Sequence, residues 1–277
     1  MKKGKNIVLL LVFLAGLGLI LYPVVSSWVE DRQHSQAIEE YRRQVQEDAG
    51  QLEQKKEEAQ SYNSALQKEA AGIQQPGAGY YSLLSYQDVM GYLEIPEIDV
   101  NLPIYHGTSD LTLEMGVGHL ESSSLPVGGE GTHAVLMGHR GLPSATLFNK
   151  LPKLKEGSRF YIHILDETLA YEVDQIKVIE PDDLSDLQIV PGQDYVTLMT
   201  CTPYMINSHR LLVRGHRIET PAETAGDAND SPAAAQPHAQ QPQQAIWPWA
   251  LAAAAVLCLM VAGLLLLRKK RGKGRRT

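Results

Sequence analysis

The fold of this chain is indicated by Asp194-Tyr195-Val196-Thr197-Leu198-Met199-Thr200, a stretch that predicts a β-strand and ends at Cys201. Residues 204–209 predict a loop, and Arg210-Leu211-Leu212-Val213-Arg214 predicts the start of a second strand. A thiol and a guanidinium at the facing ends of neighbouring strands are suited to act as a nucleophile and an oxyanion-binding group. The only other cysteine, Cys258, lies in an apolar segment, so no disulfide framework competes for Cys201.

Cys201 has two interpretations, a buried structural thiol and a catalytic nucleophile. Buried thiols are common in protein cores. Catalysis is favoured because this cysteine ends a strand, precedes a turn at Thr202-Pro203 and is followed by Arg210 on the next strand.

The two ends of the chain carry uncharged apolar runs, each flanked by basic residues on its outer side. Each run is long enough to cross a hydrocarbon core of about 30 Å as a helix. Residues 1–25 are therefore predicted to form a cytoplasmic tip and a transmembrane helix, residues 246–267 a second transmembrane helix, and residues 268–277 a basic cytoplasmic tail. By the positive-inside rule, both termini face the cytoplasm and residues 26–245 lie outside. A cleaved signal peptide is the alternative for the first run, but no clear small-x-small site follows it.

The external region is strongly acidic. The tails hold ten of the 25 Lys and Arg residues, whereas all 32 Asp and Glu lie between Glu30 and Asp230, which leaves a formal charge of −17 outside. This balance argues against nucleic acid as a partner, because phosphates select basic surfaces.

The external region divides into three parts. Residues 26–79 are predicted to form a helical stalk, with room for a lid before the next domain, since residues 30–71 are rich in helix-forming residues. Tyr41, Val45, Ala49 and Leu52 form only a thin apolar stripe, which favours a stalk that lifts the domain off the membrane. The alternative is that the far end of the stalk packs on the domain. Residues 80–219 read as seven or eight short strands with short helical pieces near 146–151 and 182–187, which predicts a mainly β, closed or nearly closed barrel. Residues 220–245, rich in Ala, Pro and Gln, predict a disordered tether.

A catalytic thiol needs a proton partner, and nine histidines compete for that role. His139 is preferred because a predicted strand ends just before it and Arg140-Gly141 then turns the chain away. His209 adjoins Arg210, but its side chain is expected to point the opposite way. The histidines show no i, i+4 pair and the external cysteine has no CxxC partner, so no metal or other cofactor is expected. Six further histidines, compared with these two, show no comparable context: His34, His106, His119, His133, His163 and His238.

With these residues in place, the chain resembles the sortases, membrane-anchored cysteine transpeptidases of Gram-positive bacteria, and within them the pilin-polymerising class C enzymes. The resemblance covers about residues 80–218, and a second C-terminal membrane span is also typical of that class. Its motifs are Thr197-Leu198-Met199-Thr200-Cys201, Gly138-His139-Arg140-Gly141-Leu142-Pro143-Ser144-Ala145, Cys201-Thr202-Pro203-Tyr204 and His209-Arg210-Leu211-Leu212-Val213-Arg214-Gly215.

The resemblance implies an eight-stranded sortase-type β-barrel and a specific chemistry. Cys201 would attack the Thr–Gly bond of an LPxTG-type sorting signal on a pilin or surface protein, forming a thioacyl enzyme. His139 would act as general acid and base, and Arg210 would hold the substrate carbonyl or the oxyanion. The acceptor amine would be a pilin lysine or, alternatively, a cell-wall peptide. A non-catalytic membrane-tethered scaffold is the remaining alternative.

Two departures from the class C pattern stand out. Residues 61–86 contain no Asp-Pro of the kind that usually anchors a lid in the active site; Gln75-Pro76 is the only proline position there, and Tyr80-Tyr81 is the aromatic pair. Met205 stands where the family often has glycine, and its larger side chain is expected to narrow the groove.

Overall fold

A computed structural model describes residues 2–68, 79–142 and 147–221 of the chain. The predicted flexible connection over 72–78, most of the tether, the second transmembrane helix and the basic tail lie outside the described residues. Contacts divide the chain into one unit of residues 1–21 and 230–277 and a second unit of residues 22–229. The described part of the first unit is the beginning of a long helix, and the second unit contains the barrel.

Three α-helices and eight strands make up the described chain, together with short 3-10 turns. The helices are α1 (Lys2–Glu47), α2 (Leu52–Lys68) and α3 (Asp110–Met115), and the strands are β1 (Val89–Ile95), β2 (Val100–His106), β3 (Val117–His119), β4 (Thr132–Met137), β5 (Arg159–Ile164), β6 (Glu167–Ile179), β7 (Asp194–Thr202) and β8 (His209–Ile218).

The strands close into a barrel in the order β1-β2-β3-β4-β7-β8-β6-β5. The predicted mainly β barrel is confirmed, and the short 3-10 helices at Leu147–Lys153 and Ser185–Leu187 lie where helical pieces were predicted. Two pairs are parallel, β2 with β3 and β4 with β7, and the other six are antiparallel. The prediction missed β3 and α3, because three residues and six residues are too short to show a period.

The register defines two ends of the barrel. Strands β4 and β7 run parallel, so both finish at the end that carries Cys201. Strand β3 is antiparallel to β4 and parallel to β2, so β2 and β3 both begin at that end. We call it the Cys201 end, and we call the end where β4 and β7 begin the opposite end.

Helices α1 and α2 pack on the barrel and share its hydrophobic core. Tyr41 of α1 and Ala59 of α2 are fully buried in the same cluster as the strands. The Tyr41 hydroxyl accepts a 2.7 Å hydrogen bond from the Leu165 amide. Asn63 donates to the Leu125 carbonyl at 3.0 Å and accepts from the Leu125 amide at 2.7 Å.

This packing contradicts a stalk that only lifts the domain. It is also wider than the alternative, in which only the far end packs, because Tyr41 of α1 is buried as well as Ala59 of α2. The single helix expected over residues 30–71 is also broken, because the chain turns at residues 48–51 between α1 and α2. Burial of isolated positions such as Tyr41 and Asn63 produces only a thin stripe in the sequence, which is why the pattern understated this packing.

The segment before β1 is fastened by buried histidines. The Tyr80 hydroxyl bonds to His119 Nδ1 at 2.8 Å, and His119 Nε2 bonds to the Ser124 carbonyl at 2.8 Å. A neutral imidazole fits both bonds, with Nε2–H donating and Nδ1 accepting. Burial lowers the pKa of His119 to about 4.

This burial predicts a loss of stability in mild acid. The folded state resists protonation of His119 down to about pH 4, whereas the unfolded chain takes up the proton near its ordinary pKa of 6.5. The contribution of His119 to stability is therefore complete above pH 6.5 and falls as the pH drops towards 4. Urea unfolding of the detergent-solubilised protein should show a loss of about 2 kcal/mol from this group between pH 7 and pH 4.5.

The variant His119→Gln tests the assignment, because it removes the titrating ring. We expect its free energy of unfolding to depend less on pH across that window by about 2 kcal/mol. His209→Gln, at a half-exposed histidine, serves as the matched control for replacing a histidine that is not buried. If the free energy of unfolding of His119→Gln depended on pH as strongly as that of the parent protein, another group would be responsible for the acid sensitivity.

Candidate active site

The structure brings the ends of three strands together at the predicted residues. Cys201 near the end of β7 pairs directly with Arg210 near the start of β8. Met137 of β4 pairs with Met199 of β7 in parallel register, so His139, two residues further on, comes level with Cys201. The three residues chosen from the sequence therefore lie side by side at one end of the barrel.

The site lies on the outer face of the barrel wall. Leu198 and Val213 point into the main core, whereas their neighbours Met199 and Leu212 belong to a second, smaller apolar cluster on the outer face. Side chains alternate along a strand, so Cys201, two residues from Met199, and Arg210, two residues from Leu212, project from that same outer face. Cys201 is partly exposed there. The sequence pattern did not show which face carries the thiol.

The main chain around His139 is held on both sides. The Gly138 amide donates to the Met199 carbonyl at 3.1 Å, and Thr200 Oγ1 donates to the Gly138 carbonyl at 2.7 Å. Beyond the histidine, the Phe148 amide donates to the His139 carbonyl at 3.1 Å. These bonds fix the histidine backbone to the strand that carries the cysteine, which is the arrangement that a positioned general acid or base requires.

Arg210 is held by the loop that joins β7 to β8. Its Nη1 donates to the carbonyls of Asn207 and His209, each at 3.2 Å. Both acceptors are neutral, so the bonds position the guanidinium without neutralising its charge. A positioned cation opposite a thiol is suited to stabilise an oxyanion that forms on a carbonyl under attack.

Arg140 is a further residue of the site that the sequence analysis did not single out. Its Nη1 donates to Thr202 Oγ1 at 3.2 Å, and its guanidinium lies 5.7 Å from the centre of the Tyr204 ring. These contacts join the loop after His139 to the loop after Cys201. The Arg140 Nε atom is buried and has no hydrogen-bond partner within the part of the chain that the structure describes. The only sequence signal was its place next to His139.

Most of the other described histidines are engaged elsewhere. His106 bonds to the Leu83 carbonyl, His133 bonds to Thr197 Oγ1 at 2.7 Å, and His163 lies against Tyr92 and Glu94. His209 contacts Glu180, 3.3 Å away. His34 bonds to the main chain of Met115, and His238 lies outside the described residues. Among residues 2–68, 79–142 and 147–221, no cluster of three or more metal-ligating side chains occurs.

The expected lid anchors do not lie at the thiol. Tyr80 and Tyr81 contact His119, the last residue of β3, and Glu121 just after it, and β3 runs away from the Cys201 end. Gln75-Pro76 and the rest of 69–78 lie outside the described residues. Met205 is 71% exposed in the loop after Cys201, beside Tyr204 and Ile206. The prediction that Met205 narrows the groove stays a prediction.

Residues 93–218 match the family described as the Sortase domain. The chain is similar to the crystal structure of Streptococcus pneumoniae sortase C, which was described in terms of pilin substrate specificity, with 49% identity and a TM-score of 0.63 over 67% of this chain and 97% of that one. Sortase C-1 of Actinomyces oris gives 47% identity and a TM-score of 0.58 over 61% and 99% of the two chains.

Among curated relatives, sortase D of Bacillus subtilis is 32% identical over 131 residues, which are 46% of this chain and 63% of the relative. Sortase A of Staphylococcus aureus is 27% identical over 214 residues, 74% of this chain and 91% of that protein. The chain spans about half to two thirds of the length of the first curated relatives that it matches.

Proposed function

Because the chain belongs to the sortase family, we propose that it is a class C cysteine transpeptidase that cleaves an LPxTG-type sorting signal and joins the acyl group to a pilin lysine. The observation that carries the proposal is the alignment of Cys201, Arg210 and His139 on three adjoining strand ends. The similarity to sortase C structures at 46–50% identity supports the class.

The proposed reaction has two half-reactions. Cys201 Sγ attacks the carbonyl carbon of the signal threonine as His139 takes the proton of the thiol. The Thr–Gly bond then breaks as His139 gives that proton to the departing glycine amine. The acceptor lysine amine then attacks the thioester, His139 takes up its proton, and Cys201 is released with an isopeptide bond formed. Arg210 stabilises the oxyanion in both tetrahedral intermediates, since its charge is held in place before the reaction begins.

The proposed location is the membrane, with the barrel outside the cell and both termini in the cytoplasm. Support comes from α1, whose described residues contain one stretch that is long and apolar enough to cross a bilayer. The basic flanks of both apolar runs support the two-pass topology. Partners are then pilins or surface proteins that carry a sorting signal and, as acceptors, pilin lysines or cell-wall peptide amines.

The decisive experiment is to capture the covalent intermediate. The detergent-solubilised protein is incubated with an LPxTG peptide and analysed by intact mass spectrometry. We expect an adduct with the mass of the peptide up to its threonine, absent in Cys201→Ala. Matched reactions with a pilin subunit and with a wall-type peptide amine then identify the acceptor. If no adduct forms, the non-catalytic scaffold becomes the better description; if only the wall-type amine is used, the enzyme anchors surface proteins.

A further inference from the structure

The start of the second unit, in α1, exposes an apolar helical surface that water solvates poorly. In α1, residues 22–29 leave large side chains open to solvent: Tyr22 is 59% exposed, Val25 55% and Trp28 61%. One turn later, Arg32 lies over the Trp28 ring at 5.8 Å. An apolar helical segment that ends in a tryptophan and a basic residue is typical of a helix leaving a bilayer at its interface.

The turn after this segment contacts the Cys201 end of the barrel. Asp31 interacts electrostatically with Lys150, and His34 bonds to the main chain of Met115. Met115 lies just before β3, which begins at the Cys201 end. Lys150 bonds to Asp99 at 3.2 Å, and Asp99 lies just before β2, which begins at the same end.

From there α1 runs away from the Cys201 end. Seven residues after His34, Tyr41 bonds to the Leu165 amide, which lies beyond the end of β5 and next to the β5–β6 turn. The helix rise of about 1.5 Å per residue makes this step roughly 10 Å. The apolar segment 22–29 therefore extends from the barrel on the side of the catalytic residues.

The two barrel ends also differ in surface character. The loop after Cys201 exposes three consecutive apolar side chains, Tyr204, Met205 and Ile206, between 50% and 71% exposed. The opposite end carries α2 and polar or charged residues such as Lys56, Glu130 and Gln193 around a cavity of about 520 Å³. Its exposed apolar side chains, Tyr81 and Val190, stand singly.

We propose that the Cys201 end of the barrel faces the lipid bilayer, with α1 residues 22–29 in the interface and the loop tip Tyr204–Ile206 directed at the lipid surface. The proposal rests on the membrane anchoring proposed above and is independent of the transpeptidase chemistry. In this orientation the Cys201 thiol meets its substrates at the membrane surface, and the opposite end of the barrel points away from the membrane.

The two ends of the barrel are well separated. The barrel height, from the nine residues of β7 and an ordinary strand tilt, is roughly 20 Å.

Energy transfer to labelled lipids tests the orientation. The full chain, with Cys201→Ser and Cys258→Ala to remove the native thiols, is reconstituted in vesicles of phosphatidylcholine and phosphatidylglycerol that contain an acceptor-labelled lipid headgroup. One donor dye is attached at Met205→Cys in the loop tip and, in a matched variant, at Glu130→Cys at the opposite end. We expect clearly higher transfer from position 205, as a difference in height of roughly 20 Å requires.

A helix extension provides the control. Seven residues of helix-forming sequence inserted between Ser27 and Trp28 raise the barrel by about 10 Å, and transfer from both positions should fall while position 205 stays the closer. Equal transfer from the two positions, or higher transfer from position 130, overturns the proposal. So does a protein that fails to float with the vesicles. Neither result bears on whether Cys201 forms a thioacyl adduct, which is measured separately with soluble peptide and the native thiol.

Discussion

Replacing Arg210 with lysine is expected to lower kcat/KM for a sorting-signal peptide by about 100- to 1,000-fold while the barrel stays folded. The charge is retained in Arg210→Lys, but the planar fork is lost. In the structure Nη1 bonds to the carbonyls of Asn207 and His209, which fixes the guanidinium opposite Cys201. A lysine ammonium carries its three donors on one atom of a flexible chain, so it cannot bond both carbonyls and also present a fixed planar fork to the oxyanion.

The measurement is steady-state cleavage of an LPxTG peptide, together with the rate of acyl-enzyme formation by mass spectrometry. His209→Gln is the matched control, since its side chain faces Ser208 and Glu180 rather than the thiol. It should retain activity within about threefold. Thermal unfolding of both variants should match the parent protein. A lysine variant with near-normal turnover would remove Arg210 from the proposed mechanism.

Gly138→Ala is expected to reduce activity by about 100-fold and to destabilise the protein by about 2 kcal/mol. A Cβ at this position would lie 2.7 Å from the Phe148 ring, which is closer than real contacts allow. Phe148 is fully buried, and its amide bonds to the His139 carbonyl. To relieve the clash, either the Phe148 ring must shift within the core or the His139 backbone must move away from Cys201.

A second substitution separates displacement of His139 from simple loss of stability. Phe148→Leu alone should cost about 1 kcal/mol, because it leaves a small cavity. Combined with Gly138→Ala, it should restore part of the activity, since the shorter side chain makes room for the new methyl group. Gly50→Ala is the control, because nothing lies within 4 Å of its added Cβ. Purely additive losses in the double variant would contradict the proposed clash.

The strands that carry the site were readable from the sequence because their signals are local. The strand ending at Cys201 and the strand beginning at Arg210 are each defined by neighbouring residues, and the structure places them as β7 and β8. His139 was preferred over the other histidines because a predicted strand ends just before it. Its position beside Cys201 follows from the parallel pairing of β4 with β7.

The features that the sequence did not predict correctly depend on contacts between residues far apart in the chain. Strand β3 has three residues, and it exists through its pairing with β2 and β4. The packing of α1 and α2 depends on a few buried side chains, such as Tyr41 and Asn63, whose partners lie 124 and 62 residues further along the chain. Arg140 likewise became visible as a site residue only through Thr202 and Tyr204.

By itself, the sequence determined the candidate nucleophile, its cationic neighbour, the preferred histidine and the mainly β architecture. Those features follow from side-chain chemistry and from backbone preferences that act over a few residues. Only the tertiary structure decided that Cys201 and Arg210 lie on the outer face of the barrel, that the helices pack on it, and that α1 meets its Cys201 end. Those features depend on closing the barrel and on contacts between residues far apart in the chain, which no local pattern records.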